Sequence, residues 1–294
     1  MKKKSKSKVN AFFLVTGIII GIYCISLIIP LLWGLMSSFK GKLEFRTNMF
    51  GFPKKWLLSN YTTVVKAFKI TVESGKGFRK VGVLEMLFNS IFYAVGCALV
   101  QTTVQFVMAY VSARFNYKFG KIIYAIVMFC MIFPIIGTTA SGLYVAEMLG
   151  FKNSIIGMYV MKSYFLGVYF LVQYAQLKAF PKDYDEAARI DGASNLSIMI
   201  RIIFPMSLNL FFTICLLLFI GFWNDYGTPM LYMPEVPTLS YGLYYFVHVA
   251  KDNIARNTTM RLAACIMLMF PILVIFLIFH NRLLNNISIG GIKE

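Results

Sequence analysis

The residues of this chain that carry the densest chemistry are Asp185-Glu186-Ala187-Ala188-Arg189-Ile190-Asp191-Gly192. They form a polar island between long apolar runs. Asp185 and Glu186 fall in the first turn of a short expected helix, where the helix dipole favours carboxylates. Ala187 and Ala188 are small enough to let another backbone approach closely. Gly192 is a natural helix stop, and Ala193 and Ser194 begin a second short helical run toward Pro205. The chemistry this supports is docking. A helix–turn–helix knob between two spans, on the cytoplasmic side, would offer charge and a close-contact surface to a soluble partner. Equipment for catalysis is missing. The two histidines, His248 and His280, are far apart and each near a span boundary. No Cys/His cluster has metal-ligand spacing, and no glycine-rich phosphate loop is present, so ATP is not bound here by that device.

The elements that must position the knob are set by composition. Hydrophobic residues make up 59% of the 294 and charged residues 14%, with a mean hydropathy of +0.70. Soluble domains carry about a quarter charged residues, so the chain reads as an all-α, polytopic membrane protein. The five cysteines (Cys24, Cys97, Cys130, Cys215, Cys265) all lie inside apolar runs and read as small hydrophobes rather than a disulfide framework. The net charge of +17 points to anionic headgroups and topology, not to nucleic acid.

A spanning helix needs about 20 apolar residues, and six runs are expected to meet that length: about 11–37, 87–112, 122–146, 154–177, 202–223 and 262–279. The first follows a basic start, yet it is too long for a signal-peptide core and has Pro30 and Trp33 where cleavage would want small residues. Pro134 and Pro271 are kink candidates. Lys162 interrupts the fourth run and either snorkels outward or faces a wet cavity. The segment from Gly41 to Met86 reads as a long outer polar stretch, and Tyr226–Met260, rich in proline and glycine, as an outer, partly re-entrant hairpin. Trp223-Asn224-Asp225 either lines a sugar path, by aromatic stacking and paired donors and acceptors, or is an interfacial Trp with a polar helix cap. The inner side holds 14 Lys/Arg and the outer 15, ten of the latter from Lys40 to Lys80 in the one long outer stretch. The positive-inside rule applies to short loops, which places the amino terminus inside.

The spacing Glu186-Ala187-Ala188, Gly192, Ile202 and Phe204-Pro205 resembles the EAA loop of ABC-importer permeases, with Phe204 where leucine is usual. The Asp191-Gly192-Ala193-Ser194 extension is similar to the carbohydrate branch, the maltose-type smaller subunit. Further similarity lies in Pro30…Trp33…Ser38-Phe39-Lys40, in Phe52-Pro53…Asn60-Tyr61 and in the tail Gly290-Gly291-Ile292-Lys293, where Glu294 replaces the usual final glycine. The resemblance implies a type I importer permease fold with six transmembrane helices. Residues 1–10 would be a cytoplasmic basic terminus, 11–283 one transmembrane domain with its coupling loop at 181–205, and 284–294 a cytoplasmic tail.

It also implies a transport subunit, not an enzyme, in a bacterial plasma membrane with both termini cytoplasmic. Asp185, Glu186, Ala187, Ala188, Asp191, Gly192 and Pro205 would couple to an ATPase, with Glu186 facing a basic residue of its cleft. Gly290, Gly291 and Lys293 would reach between the ATPases. The partners implied are a second, homologous permease, two ATPase subunits, an extracellular binding protein, lipid and a carbohydrate. ATP and Mg would sit on the ATPases, with no cofactor on this chain. The other readings are a secondary carrier or channel and an ABC permease for a non-sugar solute. A carrier would want intramembrane carboxylates or histidines for coupling ions, and the spans hold almost none.

Overall fold

The computed structural model describes residues 11–75, 77–115, 118–133 and 137–287. It divides into two compact units, one drawn from Met1–Ala67 and Phe246–Met269, the other from Phe68–Tyr245 and Phe270–Glu294.

In the first unit, helix α1 (Ala11–Ser38) is apolar all round and exposed along most of its length, with Phe12, Ile19 and Ile22 more than half exposed. A helix of that kind is built for hydrocarbon, not water. Its end is tied by a buried polar knot. Lys40 is fully buried, and its Nζ donates to the carbonyls of Asn48 (2.9 Å) and Met49 (3.0 Å). Asn60 Nδ2 donates to the carbonyls of Ser38 (2.7 Å) and Lys40 (3.0 Å), satisfying acceptors that a helix terminus leaves orphaned. Short helices α2 (Lys42–Thr47) and α3 (Ser59–Ala67) frame that knot.

The second unit opens with an antiparallel hairpin, β1 (Lys69–Ser74) and β2 (Gly77–Gly82), with Lys69 opposite Gly82 and Ser74 opposite Gly77. This corrects the all-α expectation. Ile70, Val72 and Val81 turn inward while Thr71, Glu73 and Lys80 face out, the period-two pattern of a half-buried strand. The axis of the unit is α4 (Val83–Arg114), against which the later helices α8 and α11 pack.

Two of the expected runs are not single helices. The third is made of α5 (Lys118–Ile132) and α6 (Thr138–Met148), joined through Gly137 at φ +86°. The kink candidate Pro134 lies outside the described residues. The fourth is α7 (Ile155–Met161) and α8 (Val168–Ala179), with Gly167 at φ +143° between them, a left-handed backbone that favours glycine. Four stretches among the described residues are long and apolar enough to cross a bilayer: Phe12–Ser38, Val83–Arg114, Asn195–Asn224 and Thr258–Ile278. The fold is therefore a mostly helical, multi-pass one.

The chain then forms α9 (Asp183–Ile190), α10 (Asn195–Ile198), a π-helical turn (Met199–Ile203) and α11 (Phe204–Asn224). The proline-rich outer segment folds as two short helices, α12 (Gly227–Tyr232) and α13 (Leu239–His248), before α14 (Thr258–Ile287).

Candidate functional site: a docking knob and a polar cavity

The knob is stabilised locally from both ends. Asp183, Asp185 and Glu186 occupy the first turn of α9 and Arg189 its last, so charge complements the helix dipole at each end. Gly192 adopts φ +80°, its N–H reaching Arg189 O (3.0 Å) while Ala193 N–H reaches Ala188 O (2.9 Å). This left-handed closure satisfies the terminal carbonyls. Ser194 caps α10 by accepting from the Ser197 N–H (3.3 Å), and Arg189 Nη2 reaches across to Asn195 Oδ1 (3.1 Å). Phe204 N–H then reaches back five residues to Met199 O. Pro205 has no N–H and its ring crowds the carbonyl four residues earlier, which gives a physical reason for a widened π turn just before it.

The knob shares its interior with the spans. Ala188, Ile198 and Ile203 are buried in one cluster with Phe106 and Tyr110 of α4, Ile123 of α5 and Leu177 of α8. Phe106, Phe204 and Phe211 form an edge-to-face trio with centroids 5.2–6.0 Å apart. A buried clamp adds to it. Arg114, the last residue of α4, binds Asp185 Oδ2 through Nε and Nη2 (2.8 Å each). Its Nη1 donates to Leu177 O (3.3 Å) and Phe180 O (2.7 Å), and Nη2 to Pro181 O (3.0 Å). One guanidinium therefore fastens the end of α8, the entry of the knob and α9 to the end of α4.

This sorts the expected docking residues. Asp185 is 8% exposed and its carboxylate is bound to Arg114, so it holds α9 in place from the inner side. Ala188 is likewise turned into the core. Glu186, Ala187, Asp191, Gly192 and Pro205 are exposed. Beside them stand Tyr184, Ile190 (86% exposed) and Leu196, apolar side chains the sequence reading did not single out. Gly290, Gly291 and Lys293 lie outside the described residues.

The second polar feature is a cavity of about 540 Å³, lined by α6, α7, α12 and the segments that follow α7 and α11. Asp225 lines it; Trp223 and Asn224 do not. Trp223 is 2% exposed, its ring 5.6 Å from Phe219 and its carbonyl accepting from Ser240 Oγ. Asn224 Nδ2 turns back onto its own helix, to Ile220 O (2.9 Å). Of the expected Trp223-Asn224-Asp225 group, the structure packs the Trp223 ring into the interior, gives the Asn224 amide an intrahelical partner, and brings Asp225 alone to this cavity. Asp225 Oδ2 accepts from Tyr93 OH (2.9 Å) and Oδ1 from the Thr228 N–H (3.0 Å). Lys162, at the end of α7, faces this cavity instead of snorkelling, its Nζ 3.3 Å from Thr228 Oγ1 and 5.7 Å from the Phe222 ring centroid.

Residues 105–288 match the family described as the binding-protein-dependent transport system inner membrane component. This chain belongs to that family. A probable starch degradation products transport system permease protein, AmyC of Thermoanaerobacterium thermosulfurigenes, is 28% identical over 300 residues, covering 100% of both chains. The diacetylchitobiose uptake system permease protein NgcG of Streptomyces coelicolor is 24% identical over 298 residues, covering 100% of this chain and 93% of the other. A chain in the crystal structure of a bacterial ABC transporter involved in the import of the acidic polysaccharide alginate superposes with a TM-score of 0.75 at 18% identity, over 96% of this chain and 99% of that one.

The knob is a helix pair whose core side is continuous with α4, α5 and α8 and whose outer side carries carboxylates, an alanine and exposed apolar side chains. In the sequence the clamp residue Arg114 stands with Lys118 and Lys121 in a short basic turn. Its partner lies 71 residues away, and no local pattern links the two.

Proposed function

We propose that the chain is one permease subunit of an ATP-driven importer that carries a carbohydrate into a bacterial cell. The observation that carries this reading is the shared core of knob and spans, with Ala188, Ile198 and Ile203 packed among Phe106, Ile123 and Leu177. A knob so mounted transmits a push to the spans as a rigid body. Glu186, Ala187, Tyr184 and Ile190 form the face that an ATPase subunit grips, and Asp185 holds that face in place from behind. ATP and Mg belong to two ATPase subunits, and a second, homologous permease completes the pore. An extracellular binding protein delivers the solute. The family and the names of its relatives, which concern starch products and diacetylchitobiose, support the carbohydrate class.

Six crossings fit this role if α5 with α6, and α7 with α8, each make one broken traverse of a single transmembrane domain over 11–283. Irregular backbone at membrane depth is tolerated where it lines a cavity, and both breaks carry residues of the cavity at Thr138 and Tyr164. An even number of crossings puts both termini on one side, and the basic start at Lys2, Lys3, Lys4, Lys6 and Lys8 favours the cytoplasmic one. Asp225 marks the edge of the solute path, and the tail around Gly290, Gly291 and Lys293 reaches the ATPases.

Glu186→Lys tests the lever. Glu186 is exposed, so reversal of its charge leaves the fold and membrane insertion intact while placing like charge against a basic cleft. Copurification of the ATPase subunits is expected to fall about tenfold or more, and uptake with it. Wild-type uptake by this variant would remove the knob from the coupling path.

A further inference from the structure

Resting on the carbohydrate reading, we propose that the cavity between α6, α7 and α12 is a glycan subsite in this subunit, with Lys162 as its polar anchor. Its volume of about 540 Å³ falls within the range of about 300–1,000 Å³ typical of small-molecule sites. The wall has what a sugar needs. Tyr164, 46% exposed, supplies an aromatic side chain to the lining, and Thr138, Thr139, Thr228 and Tyr232 supply hydroxyls.

The two charged groups of the wall are unequally engaged. Both oxygens of Asp225 already accept bonds, from Tyr93 OH and from the Thr228 N–H. Lys162 directs a single hydrogen bond to a side-chain hydroxyl, Thr228 Oγ1, and has no carboxylate within ion-pair distance among the described residues. An ammonium group carries three donors, so Lys162 keeps donors for an oxygen acceptor entering the cavity. The start of α6 adds to the same polarity. Gly137 offers no side-chain cap to its first turn, and Thr138 and Thr139 of that turn line the cavity, so the positive end of the helix borders it. The breaks in the third and fourth runs thus open the bundle where a solute passes. The acceptor is either the carboxylate of an acidic glycan or adjacent hydroxyls of a neutral one, since both present oxygen lone pairs to a fixed cation.

The test uses the membrane complex of both permeases and both ATPases in nanodiscs, without binding protein. Equilibrium binding of labelled neutral trisaccharides and of uronic-acid trisaccharides is measured for wild type, Lys162→Met and Lys162→Arg. Loss of a charge-assisted hydrogen bond is expected to weaken binding about tenfold or more in K162M, while K162R, which keeps the charge and the donors, retains most of the affinity. A loss confined to the uronates identifies a carboxylate acceptor; an equal loss for the neutral sugars identifies hydroxyls. Either result supports the subsite. If the complete importer takes up a glycan but K162M binds it as wild type does, or the wild-type complex does not bind it, the subsite is overturned and the carbohydrate reading stands. If the complete importer takes up none of these glycans, the carbohydrate reading falls and the subsite with it.

Discussion

Arg114 and Lys162 are two cations set into the same helical unit, and they are used in opposite ways. Arg114 is almost wholly buried, with a side-chain exposure of 3%, and its guanidinium is filled by Asp185 and by three backbone carbonyls. Lys162 stands at a broken helix end, bonds one hydroxyl and faces open volume. A planar fork holds several acceptors at once, whereas an ammonium on a flexible stem acts as a movable point charge. A filled cation fixes geometry, and an underused one is available to a visitor. Under the proposed transport role, the difference divides the unit into a part that stays rigid to transmit force and a part that stays open to pass a solute.

The largest effect is expected from Arg114→Ala. It leaves Asp185 buried without its counter-charge, and Asp185 Oδ1 already lacks a hydrogen-bond partner among the described residues. Breaking one side of such a pair costs about 3–5 kcal/mol, read as a fall in the thermal midpoint of the purified complex and in its retention of ATPase subunits. Lys162→Met, by contrast, removes one hydroxyl contact and a cation–π contact, about 1 kcal/mol or less at a half-exposed site. Equal destabilisation by the two variants would break the comparison.

That clamp also marks the limit of what the sequence discloses. The knob is legible because its signals are local: acids in the first turn, glycine at the stop, proline after the second short helix. The four continuous spans are legible because apolar length alone defines them, and the sequence run 11–37 differs from the observed Ala11–Ser38 by one residue. The direction in which Asp185 faces is not local. It follows from Arg114 arriving at the end of α4, as does the split of the two alanines into one outward and one inward. The β1–β2 hairpin was hidden for another reason. Ile70, Val72 and Val81 alternate with charged and polar residues, a period-two signal too short to stand out within a long polar segment. The breaks in the third and fourth runs were masked by uniform apolarity, which reports insertion into lipid and not helical continuity.

A smaller effect is expected at Gly192, which belongs to the rigid part. No atom stands within 4 Å of where a Cβ would sit, so the cost of Gly192→Ala comes from the backbone alone, held at φ +80°. That conformation costs an L-residue about 1–2 kcal/mol. The expected outcome is a modest drop in thermal midpoint together with weaker coupling of ATP turnover to uptake, because the turn sets the angle between α9 and α10. A drop in midpoint with full coupling would show that the angle of the knob tolerates adjustment, and the rigid half of the comparison would weaken.

The smallest effect is expected at Asn224, next in sequence to the lining residue Asp225 of the open part, yet itself outside the cavity. Among the described residues its amide bonds to Ile220 O, within its own helix, and its side chain is exposed. Intrahelical bonds of exposed polar side chains compete with the solvent or lipid interface, so Asn224→Ala should change stability by no more than about 0.5 kcal/mol and glycan affinity by less than about twofold. Asn224 and Asp225 are adjacent in sequence, and a path assigned by sequence position would make them equivalent. If N224A weakens glycan binding as strongly as K162M does, the passage runs along the surface of α11, not through the cavity beside Lys162, and the contrast between a filled and an underused cation loses its functional meaning.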